Sequence, residues 1–141
     1  KKIYWRSRRT TSSLNILFNL VFVASGGALG AILRYLLTNI SKSLFASSIY
    51  GTITVNIVGC FLIGYFITSN VVNNLSDNFI KYFIIIGLLG SFTTFSAFSY
   101  EVVDLINSKK YFTSFTYIFI SLFICIISVY LGTLINKFWF D

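Results

Sequence analysis

Gly90-Ser91-Phe92-Thr93-Thr94-Phe95-Ser96-Ala97-Phe98-Ser99 is a run of small, hydroxyl-bearing and phenyl side chains. It sits inside a stretch long and apolar enough to cross a bilayer. Glycine and β-branched threonine weaken a helix, and hydroxyls in hydrocarbon need partners. A membrane helix with its weak, polar part in the middle lines something: a pore, an ion or a partner helix.

The rest of the chain sets this run in a membrane. Of 141 residues, 56% are hydrophobic and only 11% charged, whereas a soluble domain carries about a quarter charged residues. Four apolar segments stand out, at residues 14–38, 50–71, 79–100 and 111–136, each near the ~20 residues that span ~30 Å of hydrocarbon. Polar connections join them: 39–49 with Lys42 and several serines, 72–78 rich in Asn, Ser and Asp, and 101–110 with Asp104, Lys109 and Lys110. The expected organisation is a basic N-terminal tail over 1–13, one four-helix transmembrane domain over 14–136 and a short C-terminal tail over 137–141. Proline is absent, so any helix break must come from glycine or polar side chains.

Charge narrows the function further. The chain has no histidine and four acids, Asp77, Glu101, Asp104 and Asp141. Groups for proton transfer are therefore scarce, which argues against an enzyme. The net charge is +7, and five of the eleven basic residues are Lys1, Lys2, Arg6, Arg8 and Arg9. Beside a membrane segment this cluster reads as a flank facing anionic lipid, not as a nucleic-acid site, and it favours cytoplasmic termini. Without that tail the charge bias between the two sides vanishes. Cys60 and Cys125 both fall in apolar segments with no metal-ligand spacing, and read as small buried hydrophobes.

Each segment has a polar face. In the first, Asn15, Asn19, Gly26, Gly30 and Arg34 share one side. Gly26 and Gly30 allow close helix packing; Arg34 either snorkels to the interface or supplies positive potential where an anion enters. In the second, Asn56 is the deep polar residue, with Thr52 one turn before and Gly59 one turn after. Its amide reads either as interhelical glue or as a donor to an anion. In the third, Phe95 and Phe98 project in neighbouring directions with Ser96 and Ser99 beside them. They are core rings, or rings whose positive edges flank a small anion. In the fourth, Tyr117, Ser121, Cys125, Ser128 and Gly132 form one stripe. Together these faces offer O–H and N–H donors and ring edges but almost no carboxylate, a lining that suits a small anion.

Three motifs in order give the chain a family resemblance. They are Gly26-Gly27-Ala28-Leu29-Gly30-Ala31-Ile32-Leu33-Arg34-Tyr35; Gly51-Thr52 through Val55-Asn56 with Gly59 and Gly64; and Gly87-Leu88-Leu89-Gly90 through Tyr100-Glu101. The chain resembles the Fluc (CrcB) family of bacterial fluoride channels over about residues 26–132. The resemblance implies an antiparallel, dual-topology-type dimer of four-helix subunits in the bacterial inner membrane. It implies a broken third helix and a central structural Na⁺ held by backbone carbonyls, here those of Gly90 and Thr93. The fluoride pathway would be lined by Asn56, Phe95, Ser96, Phe98, Tyr117 and Ser121, with Arg34 and Glu101 as charged positions near the pore entrance or helix ends.

One position departs from that pattern. Family members often carry Thr between the two phenylalanines, where this chain has Ala97. That change, with the basic tail, supports a second reading: a subunit that pairs with a paralogue and does not conduct alone. A proton-coupled cation exporter is the third, and it lacks the embedded carboxylate it needs, since no Asp or Glu lies in the first two segments and Glu101 falls at the end of the third.

Overall fold

The computed structural model describes residues 2–68 and 79–140, and among these every regular element is helical. Helix α1 is Lys2–Phe45, α2 Ile49–Thr68, α3 Phe79–Leu89 (wound as a π-helix), α4 Gly90–Phe92, α5 Phe95–Asn107 and α6 Tyr111–Phe140. Among the described residues four stretches are long and apolar enough to span a membrane: Ser13–Phe45, Ile49–Ile67, Phe79–Asn107 and Tyr111–Phe138. The expected end of the second segment, 69–71, and the connection 72–78 lie outside the described residues.

Several boundaries differ from the sequence reading: α1 already begins at Lys2, within the expected tail, and α6 runs on to Phe140. Helix α1 continues through the serine- and lysine-bearing stretch to Phe45, and the third span continues past Tyr100 to Asn107. Polar side chains did not stop either helix because their hydroxyls bond within the fold. Thr38 donates to the carbonyls of Arg34 and Tyr35, and Ser41 donates to the Ser47 carbonyl while accepting from the Gly51 N–H. The turns that do end these helices use left-handed residues, Ala46 (φ 53°) and Lys109 (φ 59°). Around Lys109 the bonds from Lys110 N to Leu105 O and from Lys109 N to Ile106 O form a helix-closing Schellman arrangement.

The bundle pairs α1 with α3 and α2 with α6, while α5 leans on α6. Glycine sets both close approaches. A Cβ on Gly30 would stand 2.1 Å from the Leu88 carbonyl oxygen, and one on Gly26 2.3 Å from that of Phe83. So Gly26 and Gly30 are packing glycines on the α1–α3 seam. On the α2–α6 seam, a Cβ on Gly132 would meet the Phe61 carbonyl oxygen at 2.1 Å, and one on Gly64 the Val129 carbonyl oxygen at the same distance. Backbone cannot swing aside as a side chain can, so Gly132→Ala is expected to cost ~1–3 kcal/mol of stability. Gly90→Ala, whose Cβ would find only the Ile85 carbonyl oxygen at 3.6 Å, is expected to stay within ~0.5 kcal/mol. Thermal melts in detergent compare the two; equal melting points would remove the seam argument.

Most large apolar side chains of α1 and α6 point outward, Phe18, Leu20, Phe123 and Ile126 among them. In a bilayer those faces meet lipid or another helix at no hydrophobic cost. The inward face of α6 is the polar stripe: Tyr117, Ser121, Ser128 and Gly132 are buried and Cys125 is half-buried. Ser114 and Asn136 extend it at either end.

Candidate functional site

Between α4 and α5 the ladder is interrupted at two residues. Thr93 (φ −77°, ψ 153°) and Thr94 (φ −149°, ψ 118°) have extended backbone. Extended residues inside a bilayer need partners for both their N–H and C=O. Asn56 of α2 supplies both for Thr94. Its Oδ1 accepts from the Thr94 N–H at 2.8 Å, and its Nδ2 donates to the Thr94 carbonyl at 3.1 Å. Thr94 then starts the next helix, its hydroxyl accepting from the Ala97 N–H at 3.1 Å as an N-cap. Thr93 fits against the bare face of Gly59, where a Cβ would lie 2.2 Å from the threonine Cγ2.

These bonds redirect two amides. In a continuous helix the Gly90 carbonyl would accept from Thr94 N–H and the Thr93 carbonyl from Ala97 N–H. Both N–H groups bond elsewhere, to Asn56 and to the Thr94 hydroxyl. The carbonyls of Gly90 and Thr93 thus lose the N–H partners a regular helix would give them.

Below the interruption a cleft of about 220 Å³ is lined by Asn56, Cys60, Thr93, Thr94, Phe95, Phe98, Ser121, Leu122 and Cys125. It brings together four residues expected from sequence to line an anion path: Asn56, Phe95, Phe98 and Ser121. Phe95 and Phe98 are 5.4 Å apart with planes inclined at 43°. Phe98 is buried, while Phe95 is 72% exposed on the single chain. The Ser121 hydroxyl is buried with no hydrogen-bond partner among the described residues. The N-terminus of α5 also opens here, and its first free amides favour negative charge.

Other expected residues stand apart from the cleft. Ser96 is exposed and shares a hydrogen bond with the Thr94 hydroxyl at 3.1 Å, bracing the cap. Tyr117 is buried behind the cleft, its ring 5.0 Å from that of Phe98 and inclined at 62°. Arg34 lies on α1, its Nε buried without a hydrogen-bond partner among the described residues, and does not reach the cleft.

Glu101 is the clearest correction to the sequence reading. Because α5 runs on to Asn107, Glu101 is inside a helix and buried, not at its end. Its carboxylate accepts from three hydroxyls: Ser48 at 2.6 Å, Thr52 at 2.9 Å and Tyr117 at 2.7 Å. One acid thus ties the α1–α2 turn, α2 and α6 to α5. On its outer side lies a polar pocket of about 370 Å³ lined in part by Lys42, Ser48, Tyr100, Glu101 and Asp104. Thr52, Asn56 and Cys60 of α2 follow one another at successive turns, as do Tyr117, Ser121 and Cys125 of α6. The spacing of four from Asn56 to Cys60 is the signal by which sequence could have placed Cys60 in the lining.

The fold and cleft define a small all-helical membrane protein with an uncharged, donor-bearing cleft between α2, α5 and α6. Residues 21–133 match the profile of the family described as CrcB-like protein, Camphor Resistance (CrcB). The chain is similar to the fluoride-specific ion channel FluC of Shewanella pealeana, 41% identical over 115 residues that cover 81% of this chain and 92% of that relative. It is likewise similar to FluC of Flavobacterium psychrophilum, 40% identical over 117 residues covering 82% and 94% of the two chains. The chain belongs to the CrcB family and is a multi-pass membrane protein.

Proposed function

We propose that this chain is a subunit of a fluoride-selective channel that lets cytoplasmic fluoride leave passively, down its electrochemical gradient, across the bacterial inner membrane. The observation that carries the reading is the cleft. It gathers an amide, an unpartnered buried hydroxyl and two phenyl rings around a space without a carboxylate. Weak donors admit an anion and release it, where a fixed deep charge would trap it. The names of the relatives supply the ion.

The working unit is an antiparallel dimer, with the bundle over 14–136 conducting and the basic tail on the cytoplasmic side. A structural Na⁺ is the ion that the carbonyls of Gly90 and Thr93 would hold; when bound it supplies positive charge to otherwise unpartnered backbone oxygens. Arg34 and Glu101 act at the periphery, Glu101 at the floor of the polar pocket. The alternative is a subunit that conducts only beside a paralogue, favoured by Ala97, which leaves a methyl where the family often carries a threonine hydroxyl.

Liposomes bearing the purified chain are expected to release fluoride and retain chloride. Equal passage of chloride would overturn the selectivity; no passage of either ion, with fluoride release on co-reconstitution with a paralogue, would assign the paired form. Phe98→Ile keeps bulk but removes the ring edge, and is expected to lower fluoride efflux on the order of tenfold. Efflux at the wild-type rate from a folded F98I protein would exclude the ring-edge contribution.

A further inference from the structure

Cys60 and Cys125 are the only cysteines of the chain, and the fold brings them together. Cys60 lies one turn beyond Asn56 on α2, and Cys125 one turn beyond Ser121 on α6. They stand on the two helices that form the α2–α6 seam, neither is in a disulfide, and both line the same cleft of about 220 Å³. Two plain hydrophobes would fill this place equally well, but two thiols on facing walls of one cleft also offer a pair of soft-metal ligands.

The surroundings select the metal. Histidine is absent from the chain, and no group of three or more His, Cys, Asp or Glu suited to a metal occurs among the described residues. Zinc and cadmium, which require about four ligands, are therefore poorly served. Thiophilic ions content with two sulfurs fit better. Charge decides among them. Two thiolates around a monovalent ion leave a net negative charge in a low-dielectric cleft, whereas around a divalent ion they leave none.

We infer that Cys60 and Cys125 form a two-coordinate site for a divalent thiophilic cation, mercury(II) in type, whose occupation closes the cleft. Two S–H bonds break, two metal–sulfur bonds form and two protons pass to water. No electron is transferred. The closing half of this inference rests on the cleft being the anion passage; the binding half does not.

The test uses the purified full chain and Hg²⁺. Wild type is expected to take up one Hg²⁺ per chain, followed by the thiolate-to-metal absorption band, with both thiols lost to a colorimetric thiol reagent. Cys60→Ser and Cys125→Ser are each expected to weaken binding on the order of 10²–10⁴-fold, the loss of a second linked ligand. Fluoride efflux from wild-type liposomes should fall to a small fraction and return on adding dithiothreitol, and Zn²⁺ at the same concentration should leave it unaltered. Each variant is scored against its own metal-free efflux. Two Hg²⁺ per chain, or single variants that bind as tightly as wild type, would overturn the clamp; Zn²⁺ acting as strongly as Hg²⁺ would overturn its two-coordinate geometry. Tight binding with undiminished efflux would overturn the closing half. A chain that binds one Hg²⁺ yet never passes fluoride would keep the clamp and place the failure on the channel reading.

Discussion

Asn56→Asp is expected to abolish fluoride efflux. The asparagine amide matches the two backbone groups of Thr94 in opposite senses, accepting at 2.8 Å and donating at 3.1 Å. An aspartate of the same shape still accepts from the Thr94 N–H, but turns a second oxygen against the Thr94 carbonyl. A buried carbonyl left without its donor costs ~1–3 kcal/mol. The new negative charge also faces an anion in a cleft of low dielectric, where like charges repel strongly. Since ~1.4 kcal/mol is a factor of ten in rate, the two effects together predict a loss on the order of a hundredfold or more. Efflux from liposomes, beside far-ultraviolet circular dichroism to confirm a folded helix bundle, measures it. Undiminished efflux would assign the amide to packing alone.

The largest loss of stability is expected at Glu101. Three hydroxyls from three different segments donate to its carboxylate. Hydrogen bonds to a charged group contribute ~1.5–3 kcal/mol each, and their loss leaves buried hydroxyls to find new partners. Glu101→Ala is expected to lower stability by ~3 kcal/mol or more, within the range for breaking a buried network. Glu101→Gln should fall between it and wild type, because an amide keeps one acceptor but presents an NH₂ to hydroxyl donors. Melting of the detergent-solubilised protein reads the order, and a wild-type melting point for E101A would refute it. The same change should reach the cleft, since Tyr117, released from Glu101, no longer holds its ring against Phe98.

These two side chains also show how far sequence could lead. The four spans were legible because composition leaves a chain this apolar few alternatives. The α6 stripe was legible because a helical period is written in consecutive turns. Glu101 was misplaced because Asp104, Lys109 and Lys110 after it resemble a solvent-facing connection, and its hydroxyl partners lie far away in sequence, at Ser48 and Thr52. Asn56 stood out as polar, but both of its readings stayed open. Its match to the backbone of Thr94, 38 residues on, leaves no periodic trace. Cys60 reads from sequence as a small buried hydrophobe because a thiol in an apolar run carries little polarity, and only its spacing of four from Asn56 hints that it joins the lining.

The pairing of the helices has a consequence for how the chain is made. Helix α2 finds its close partner in α6, the last of the described helices to be made, and the glycine faces at Gly64 and Gly132 meet only then. Until α6 inserts, Glu101 lacks the Tyr117 hydroxyl and the glycine face of α2 lies open to lipid. Contacts between ends of a chain form late and slowly. In that order of insertion the α2–α6 seam and the Tyr117 bond to Glu101 close last, while α1 can already meet α2 and α3.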